Sequence, residues 1–568
     1  MTTFAIDPVT RINGNLRIEF EAAGDAVSDA WVSGQMFRGV ERILEGRDAR
    51  DAWLVAQRIC GTCGVAHALG SVRAVENALG VAVPPNARLI RNLLAGADAV
   101  VSLATGFYLR QAFDWVDPTV AVRADPVATS TLARSISDWP NGDAAAFKGA
   151  QERLTDLLIG RTGRFANAYW RHPAYTLRPE PSLMVMAHYL EAIDWQRRMN
   201  RLKVLLGGKG PHPQTFVLGG MALTPPWGGP RRADPGQHPW QSNRSMPAPL
   251  SAEGLAVISA LIDDARAFVN EVYAPDVLAL AEHYRDWTAI GAGIGHYLSF
   301  GEFPEDDLDD PALLLPRGRI MDRSLSDVVE VGQAGVGESI AHSYYLDDAA
   351  GALRHPWEEV TEPAYTGPKP PFETVSQSDR YSWLKAPRYE DDPMEAGPLA
   401  RMLVAYGSGT ASVVAAVDAV TSRLGIVPEA LGSTLGRLVA GAIEARIVVD
   451  RLGGWLDQLR ANLETGDLAV ADITRWDPAT WPDRAEGWSI GESPGGAVGH
   501  WVRIEDRRIA TYQIVDGTTW NASPRDGRGR RGAIEQALIG TPVADPARPV
   551  EVLRTVHSFD PCLACGVH

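Results

Sequence analysis

The spacing of hydrophobic positions along the chain changes from strand-like to helical and back again. Leu16 to Phe20 alternates apolar and polar residues as a half-buried strand does, and Val27 to Val32 has the composition of its hairpin partner. From Asn86 onward apolar residues recur every three or four positions, which predicts a helix with Asn86 as its N-cap. Residues 1–55 are therefore predicted to form strands and turns.

Three further apolar stripes predict long helices in the middle of the chain. One runs from Ser182 to Leu206, and a second begins after Ser251. The third, Leu399 to Leu463, is interrupted near Gly425 and Pro428 and predicts a hairpin of two long helices. The simplest interpretation of these stripes is core packing.

Loops and short strands are predicted around these helices. Residues 222–249 are rich in Pro and Gly, and Pro304 to Asp310 is acidic, so both are expected to be solvated loops. Residues 296–390 show brief strand-like alternation. Trp501 to Ile504 and Ile509 to Val515 predict strands near the end of the chain.

Composition and charge exclude several classes of protein. Of 568 residues, 45% are hydrophobic and 22% are charged, which excludes a disordered or fibrous chain. The net charge of −16 argues against a nucleic-acid partner. The longest apolar run, Ala99 to Leu109, is too short to span a membrane, so we expect no span. The N-terminus lacks the basic and apolar regions of a secretion signal.

The four cysteines form two Cys-x-x-Cys pairs at opposite ends of the chain. A disulfide framework would scatter its cysteines, whereas two such pairs suit one four-thiolate metal site. A structural zinc site and a site for another transition metal both fit these residues. A histidine follows each pair, so the candidate residues are Cys60, Cys63 and His67, and Cys562, Cys565 and His568.

Because the two cysteine pairs must meet, we expect residues 1–568 to form one interlocked domain. The predicted class is an α-rich α+β fold, a large single body with a central bundle of long helices and peripheral β-strands. Its parts are the N-terminal strand region 1–55, the helical bundle at roughly 86–465, and the C-terminal strand and metal-ligand region 485–568. The two Cys-x-x-Cys motifs are expected to meet at a buried metal site.

The sequence around the cysteine pairs resembles a known family. RICGTCGVAHAL (Arg58 to Leu69) and SFDPCLACGVH (Ser558 to His568) are similar to the two metal-binding signatures of the NiFe hydrogenase large subunit. Segments such as DPVTRINGNLRIEF, FYLRQAFDWVD and KAPRYEDDPMEAGPLARM resemble the family in the right order, most closely its membrane-associated respiratory uptake branch. The resemblance favours nickel and iron over zinc. The four cysteines argue against a related quinone-reductase subunit, which shares the fold without them.

The resemblance implies a nickel–iron centre. Cys60 and Cys562 would be terminal nickel ligands, and Cys63 and Cys565 would bridge nickel to an iron that carries CO and cyanide. His67 would be a hydrogen-bond donor near a bridging sulfur, since groups around the ligands tune a metal.

The resemblance also implies a buried magnesium ion. Its protein ligands would be Glu41, His568 and the main-chain carbonyl of Ile514, with waters completing an octahedron. In the family a C-terminal extension is removed after this histidine. A chain ending at His568 fits either a matured subunit or one encoded without an extension.

Two positions near the implied site depart from the family. Asn13 stands where the family has a glutamate that takes a proton from a terminal cysteine, and an amide cannot titrate. Gly495 stands where the family has an arginine over the metals, although the preceding Pro494 is retained. Asp114 and Asp560 match two acids that flank the site. We expect the loss of the arginine to leave these two carboxylates without a cation.

The implied function is reversible heterolytic cleavage of H2 to protons and electrons, in the uptake direction. This chain has no cysteines left for iron–sulfur clusters, so an iron–sulfur small subunit would carry the electrons, with a membrane cytochrome b as a further partner. The partner's signal would bring the pair to the periplasm or membrane. The alternative, favoured by Asn13 and Gly495, is a hydrogen-sensing or low-turnover paralogue in the cytoplasm.

Overall fold

Long helices occupy the middle of the chain, and the longer strands lie towards its two ends. The computed structural model describes residues 2–165, 169–223, 247–306, 312–346, 352–358, 361–367 and 374–566. The helices are α1 (Val40–Leu44), α2 (Ala52–Ala56), α3 (Gly64–Leu79), α4 (Pro85–Gly106), α5 (Ala112–Trp115), α6 (Pro118–Ala121), α7 (Pro126–Ile136), α8 (Ala144–Ile159), α9 (Pro179–Gly207), α10 (Ala252–Phe268), α11 (Ala274–His283), α12 (Pro398–Gly407), α13 (Ala411–Leu424), α14 (Thr434–Glu464), α15 (Gly517–Asn521), α16 (Ala533–Leu538), α17 (Val550–Ser558) and α18 (Leu563–Gly566).

The strands form small antiparallel sheets. They are β1 (Thr3–Ile6), β2 (Leu16–Ala23), β3 (Ala26–Gly34), β4 (Phe216–Val217), β5 (Gly220–Met221), β6 (Tyr297–Ser299), β7 (Glu302–Pro304), β8 (Leu313–Leu315), β9 (Gly318–Ile320), β10 (Val328–Val329), β11 (Val336–Ser339), β12 (Ala386–Tyr389), β13 (Arg484–Ser493), β14 (Gly496–Glu505) and β15 (Arg508–Val515).

Two three-stranded sheets confirm the strand predictions at the chain ends. The N-terminal sheet has the order β1-β2-β3, and Ile18 pairs with Val32 in the predicted hairpin. The C-terminal sheet has the order β13-β14-β15, and Trp501 pairs with Gln513. The N-terminal sheet shares a hydrophobic core with α16 and α17, so the first and last parts of the chain pack together.

The core of the bundle is built on α4, which packs against α14 and α9. Its apolar stripe, including Leu89, Leu93 and Val100, is fully or almost fully buried. Trp195 of α9 stacks on Phe268 with ring centroids 4.5 Å apart, as large aromatic side chains commonly do in cores. The predicted α-rich α+β class with a central bundle of long helices is confirmed.

The helix starts were predicted with mixed success. Ser251 is the N-cap of α10, and its side chain accepts a hydrogen bond from the Gly254 amide. The prediction that Asn86 caps α4 is wrong, because Pro84 is the N-cap and Pro85 begins the helix. Proline suits the first helical position because its missing N–H has no partner there. The Asn86 side chain instead donates to two main-chain carbonyls beyond α14.

The stripe from Leu399 to Leu463 forms three helices rather than two. The predicted break is present, with Gly425 in the left-handed conformation at the end of α13. A second break separates α12 from α13, whose axes are bent by 109°. It follows Gly407, and Gly409 has a φ of +75°, which a helix does not allow.

Among the described residues, one helical segment has the length and composition of a membrane span. It runs over Pro85–Trp115, and 83% of its most apolar window is buried inside the protein. The bent pair α12 and α13 also passes that test if it is counted as one broken span. The burial of the Pro85–Trp115 segment identifies it as part of the bundle core. Of the predicted loops, residues 224–246 and 307–311 lie outside the described residues.

Candidate metal centre

The four cysteines meet, as the sequence predicts, in one buried cluster. Their sulfur atoms all lie within 4.8 Å of one another. The Sγ–Sγ distances are 3.0 Å for Cys63–Cys565, 3.3 Å for Cys562–Cys565 and 3.5 Å for Cys60–Cys562. None of the four side chains is more than 9% exposed. The two ends of the chain therefore converge on one set of four thiols.

The backbone around the cysteines directs polar groups towards them. The amides of Thr62 and Cys63 donate to Cys60 Sγ over 3.2 and 3.1 Å. The Cys562 amide donates to the Thr518 hydroxyl at 3.1 Å, which ties the second pair to α15. The N–H groups of the first turn thus stabilise negative charge on the Cys60 sulfur.

The thiols influence one another strongly because they are close and buried. Hydrogen bonds from Cys562, Cys565 and Cys63 hold the pKa of Cys60 well below its ordinary value. The neighbouring sulfurs, Cys562 first, raise the pKa values of Cys63 and Cys565 well above the ordinary value. Four thiols cannot all ionise to thiolates in such a space without a cation, so the donor set fits a metal.

Buried sulfur ligands of this kind define a thiolate site for a transition metal, because soft ligands do not select magnesium or calcium. The comparison with known families makes the class specific. The Nickel-dependent hydrogenase family matches residues 38–568, which is most of the chain. The chain belongs to this family, and it is therefore an oxidoreductase that acts on H2 at a nickel–iron centre.

Individual relatives match over the whole chain. The uptake hydrogenase large subunit of Bradyrhizobium diazoefficiens is 42% identical, with 99% of this chain and 94% of the relative covered. The hydrogenase-1 large chain of Escherichia coli K12 is 40% identical over the same shares. The solved Ni-Fe-Se hydrogenase of D. vulgaris Hildenborough in the reduced state has a TM-score of 0.77 and 30% identity, with both chains fully covered. These relatives do not favour the hydrogen-sensing alternative.

His67 lies on α3, one turn after Cys63, and is completely buried. Its Nδ1 atom is 3.4 Å from His500 Nε2, and His500 Nδ1 is 3.0 Å from the Tyr512 hydroxyl. Gly70 makes room for this arrangement, because a Cβ atom there would lie 2.6 Å from the His500 ring. A chain of polar groups thus runs from the cysteine-bearing helix into the C-terminal sheet.

Asn13 lies beside the cysteines. Its carbonyl accepts the Leu563 amide at 2.7 Å, and its backbone forms a parallel bridge with Cys562. Its side-chain Nδ2 donates to the Thr62 hydroxyl at 3.1 Å, and that oxygen is 3.1 Å from Cys60 Sγ. The position at which the family has a glutamate is therefore close to the sulfurs.

The prediction that the two flanking acids lack a cation is wrong. Asp114 accepts from Arg11 at 2.5 Å and contacts His557 Nδ1 at 2.7 Å. Burial raises the pKa of Asp114, but Arg11 and His557 outweigh it, so the pKa lies below its ordinary value. Asp560 forms a two-pronged ion pair with Arg110. Both cations come from segments distant from position 495, which is why the sequence argument missed them.

Pro494 and Gly495 form the turn between β13 and β14. The Pro494 carbonyl accepts from Arg401 Nη2 at 3.2 Å. A Cβ atom at Gly495 would lie 3.8 Å from the Thr518 hydroxyl, the same oxygen that binds the Cys562 amide. A side chain at position 495 would therefore start towards the segment that carries the second cysteine pair.

Two of the three residues implied as magnesium ligands are neighbours. Glu41 on α1 is 1% exposed, and its Oε1 accepts the Ile514 amide at 2.9 Å. Its Oε2 accepts from the Thr361 hydroxyl and is 3.7 Å from Lys385 Nζ. The third, His568, lies outside the described residues.

Proposed function

We propose that this chain is the catalytic large subunit of an uptake hydrogenase, which oxidises H2 and passes the electrons to a partner subunit. The observation that carries the proposal is the cluster of four buried sulfur atoms within 4.8 Å, built from both ends of the chain. Relatives named uptake hydrogenase large subunit, aligned over nearly the whole chain, support the direction of the reaction.

Cys60, Cys63, Cys562 and Cys565 would hold the nickel–iron centre, whose iron would also carry CO and cyanide. When bound, this centre supplies the heterolytic cleavage of H2 and accepts its electrons. The sulfur of Cys562 or Cys60 is the first protein atom placed to hold the released proton. The Thr62 hydroxyl, 3.1 Å from Cys60 Sγ and exposed, is the next polar group towards solvent.

An iron–sulfur small subunit is the proposed electron acceptor. All four cysteines of the sequence are committed to the metal centre, so a relay through clusters needs another chain. The proposed docking surface consists of Gly14, Asn15, Gly61 and Thr62, which are exposed in the two segments that Asn13 and Thr62 join beside Cys60. A membrane cytochrome b would take electrons from that subunit, and the complex would work at the periplasmic side of the membrane.

Glu41, the Ile514 carbonyl and His568 would hold a magnesium ion. The Glu41 carboxylate is buried next to Ile514, and oxygen atoms of Gln513 and Glu338 lie around Lys385 beside it. Oxygen donors of this kind suit a hard cation. The ion would link α1 to the C-terminal strand and tail.

Substitution of Cys562 tests the proposed centre. Cys562→Ser removes one of four soft ligands, so the chain should lose nickel and keep an open C-terminal tail. Nickel per chain and the infrared bands of CO and cyanide are the measurements. Ala564→Ser is the matched control, because it adds a hydroxyl in the same turn without removing a sulfur. Full nickel content with normal bands in Cys562→Ser would refute the assignment.

A further inference from the structure

We propose that Arg110 supplies, from the end of α4, the guanidinium that this chain lacks at position 495, and that it positions Asp560 beside the metal-binding cysteines. The inference rests on the proposed function and deepens it. It makes Arg110 a positioning residue and a fixed positive charge next to the centre.

The contact between Arg110 and Asp560 has the geometry of a specific pair. Arg110 Nε binds Oδ1 and Nη2 binds Oδ2 at 2.5 Å, so both prongs of the guanidinium are used. Such planar two-point pairs fix orientation as well as charge. Asp560 stands two residues before Cys562, and the side chains are only 15% and 30% exposed.

The backbone of Asp560 needs to be held. Its φ is +47°, a conformation that costs a non-glycine residue of order 1 kcal/mol or more. Its amide donates to the His557 carbonyl at 2.9 Å, and its carboxylate is anchored by Arg110. These two contacts determine how the segment after α17 delivers Cys562 to the cluster.

The fold makes room for this pair. Arg110 lies on a π-helical turn, Phe107–Gln111, that follows α4. Gly106 precedes it by one turn, and a Cβ atom there would lie 2.9 Å from Arg110 Nη2 and 3.1 Å from Asp560 Oδ2. Gly106, Asp560 and Pro494 line one cavity, so the Asp560 side of the pair borders the same space as the turn that carries Gly495.

The charge of Arg110 acts on the cysteines as well. Burial lowers the pKa of Arg110, but the negative charges of Asp560, Cys562 and Cys60 raise it by more. The pKa of Arg110 therefore lies above its ordinary value. Two other buried arginines near the cavity are engaged with acids of their own. Arg401 pairs with Glu444 and Glu492, and Arg437 pairs with Glu395.

A double-mutant cycle tests the proposal in the purified heterodimer. Arg110→Leu should keep nickel and iron, lower H2-dependent dye reduction about 100-fold, and shift the infrared bands of CO and cyanide. Gly495→Arg should restore most of the loss in the Arg110→Leu background and should raise the rate by a smaller factor in wild type, because the two guanidinium groups replace each other. Arg134→Leu, which removes an exposed arginine from α7, is the control.

Two further variants keep the proposal testable. Arg110→Lys keeps the charge but not the two-point contact, and should run about tenfold slower at full nickel content. Gly106→Ala should reproduce the loss without substituting Arg110, because the added Cβ displaces the guanidinium from Asp560. Gly149→Ala, with open space at its Cβ position, should not.

The outcomes separate this proposal from the proposed function. Unchanged turnover and bands in Arg110→Leu would overturn the role of Arg110, and so would nickel loss that Gly495→Arg does not repair. If Arg110→Leu does not fold, unchanged turnover in Arg110→Lys would overturn it. A wild-type protein without nickel or H2-dependent dye reduction would overturn the proposed function itself.

Discussion

At the scale of single residues, Asn13 differs from the glutamate that the family has at this position, and it lies beside the sulfurs. Its side chain donates to Thr62, whose hydroxyl contacts Cys60. Position 13 is thus within reach of a proton that leaves the sulfur of a terminal cysteine. An amide side chain can neither take up nor release that proton. Proton exit in this chain must use another group or proceed more slowly.

Asn13→Glu should therefore raise H2 turnover. A carboxylate at this position can relay protons, and general acid–base participation is worth about 10²–10⁴-fold. The expected result is a rise in H2-dependent dye reduction and in H/D exchange, with little change in the KM for H2. Ser412→Glu adds the same charge on the exposed face of α13, away from the proposed docking surface, and serves as the control. Equal rates for wild type and Asn13→Glu would mean that the relay is dispensable.

The residues of the centre were predictable to the extent that their partners are close in sequence. The two Cys-x-x-Cys pairs, His67 and Asp560 stand in contiguous motifs. The Arg110–Asp560 pair joins positions 450 residues apart, and the Arg11–Asp114 pair joins positions 103 apart. No local pattern links such charges. A search for arginines near the predicted acids would have found Arg110 only four residues before Asp114.

At the scale of elements, helix ends were harder to predict than helix cores. The stripes of α9 and α10 were found because their apolar spacing is regular over several turns. The break between α12 and α13 was missed because apolar residues continue on both sides of it. Its signal, two glycines at 407 and 409, is weak because isolated glycines also occur within helices.

The small helix α16 docks onto β3 through a buried acid, and this contact should make stability depend on pH. Glu535 is fully buried and accepts from the Val32 amide at 3.0 Å and the Tyr381 hydroxyl at 2.8 Å. Burial raises its pKa from an ordinary 4.5 to about 7, although these bonds and Arg525 lower it. Between these values the folded chain keeps a proton that the unfolded chain has released.

The free energy of unfolding should therefore fall as pH rises from 5 to 7, with a contribution from Glu535 of up to about 1.4 kcal/mol per pH unit. Glu535→Gln has nearly the same shape and cannot titrate, so its melting temperature should fall less steeply over this range. Thermal unfolding of both proteins at several pH values is the measurement. Glu152→Gln on the exposed face of α8 is the control. Parallel curves for wild type and Glu535→Gln would contradict the assignment.

At the scale of the whole molecule, contacts between the chain ends hold the centre together. α1 joins the last strand through Glu41 and Ile514, and the first loop joins the last helix through Asn13 and Leu563. The general architecture was predictable because the cysteine pairs had to meet. The partners of the N-terminal sheet, α16 and α17, were not, because no periodicity encodes contacts between segments so distant in sequence.

Glu41→Gln should loosen the C-terminal tail. The amide replaces a charged ligand of the proposed magnesium ion. It also removes the negative charge that lies 3.7 Å from the ammonium group of Lys385. Magnesium per chain should fall, and the amides of Cys562 and Leu563 should exchange faster with deuterium. The hairpin of β13 and β14 serves as an internal reference for exchange. Unchanged magnesium content and exchange would argue against the ion at this position.

Because both chain ends meet at one metal centre, the site can be completed only late in synthesis of the chain. Cys60 and Cys562 are 502 residues apart. At about 5–20 residues per second on the ribosome, the second pair emerges about 25–100 s after the first. During that interval α4 and α9 can already pair, whereas Cys60 and Cys63 still lack Cys562 and Cys565, which complete the site. Metal insertion and closure of the subunit must therefore follow translation.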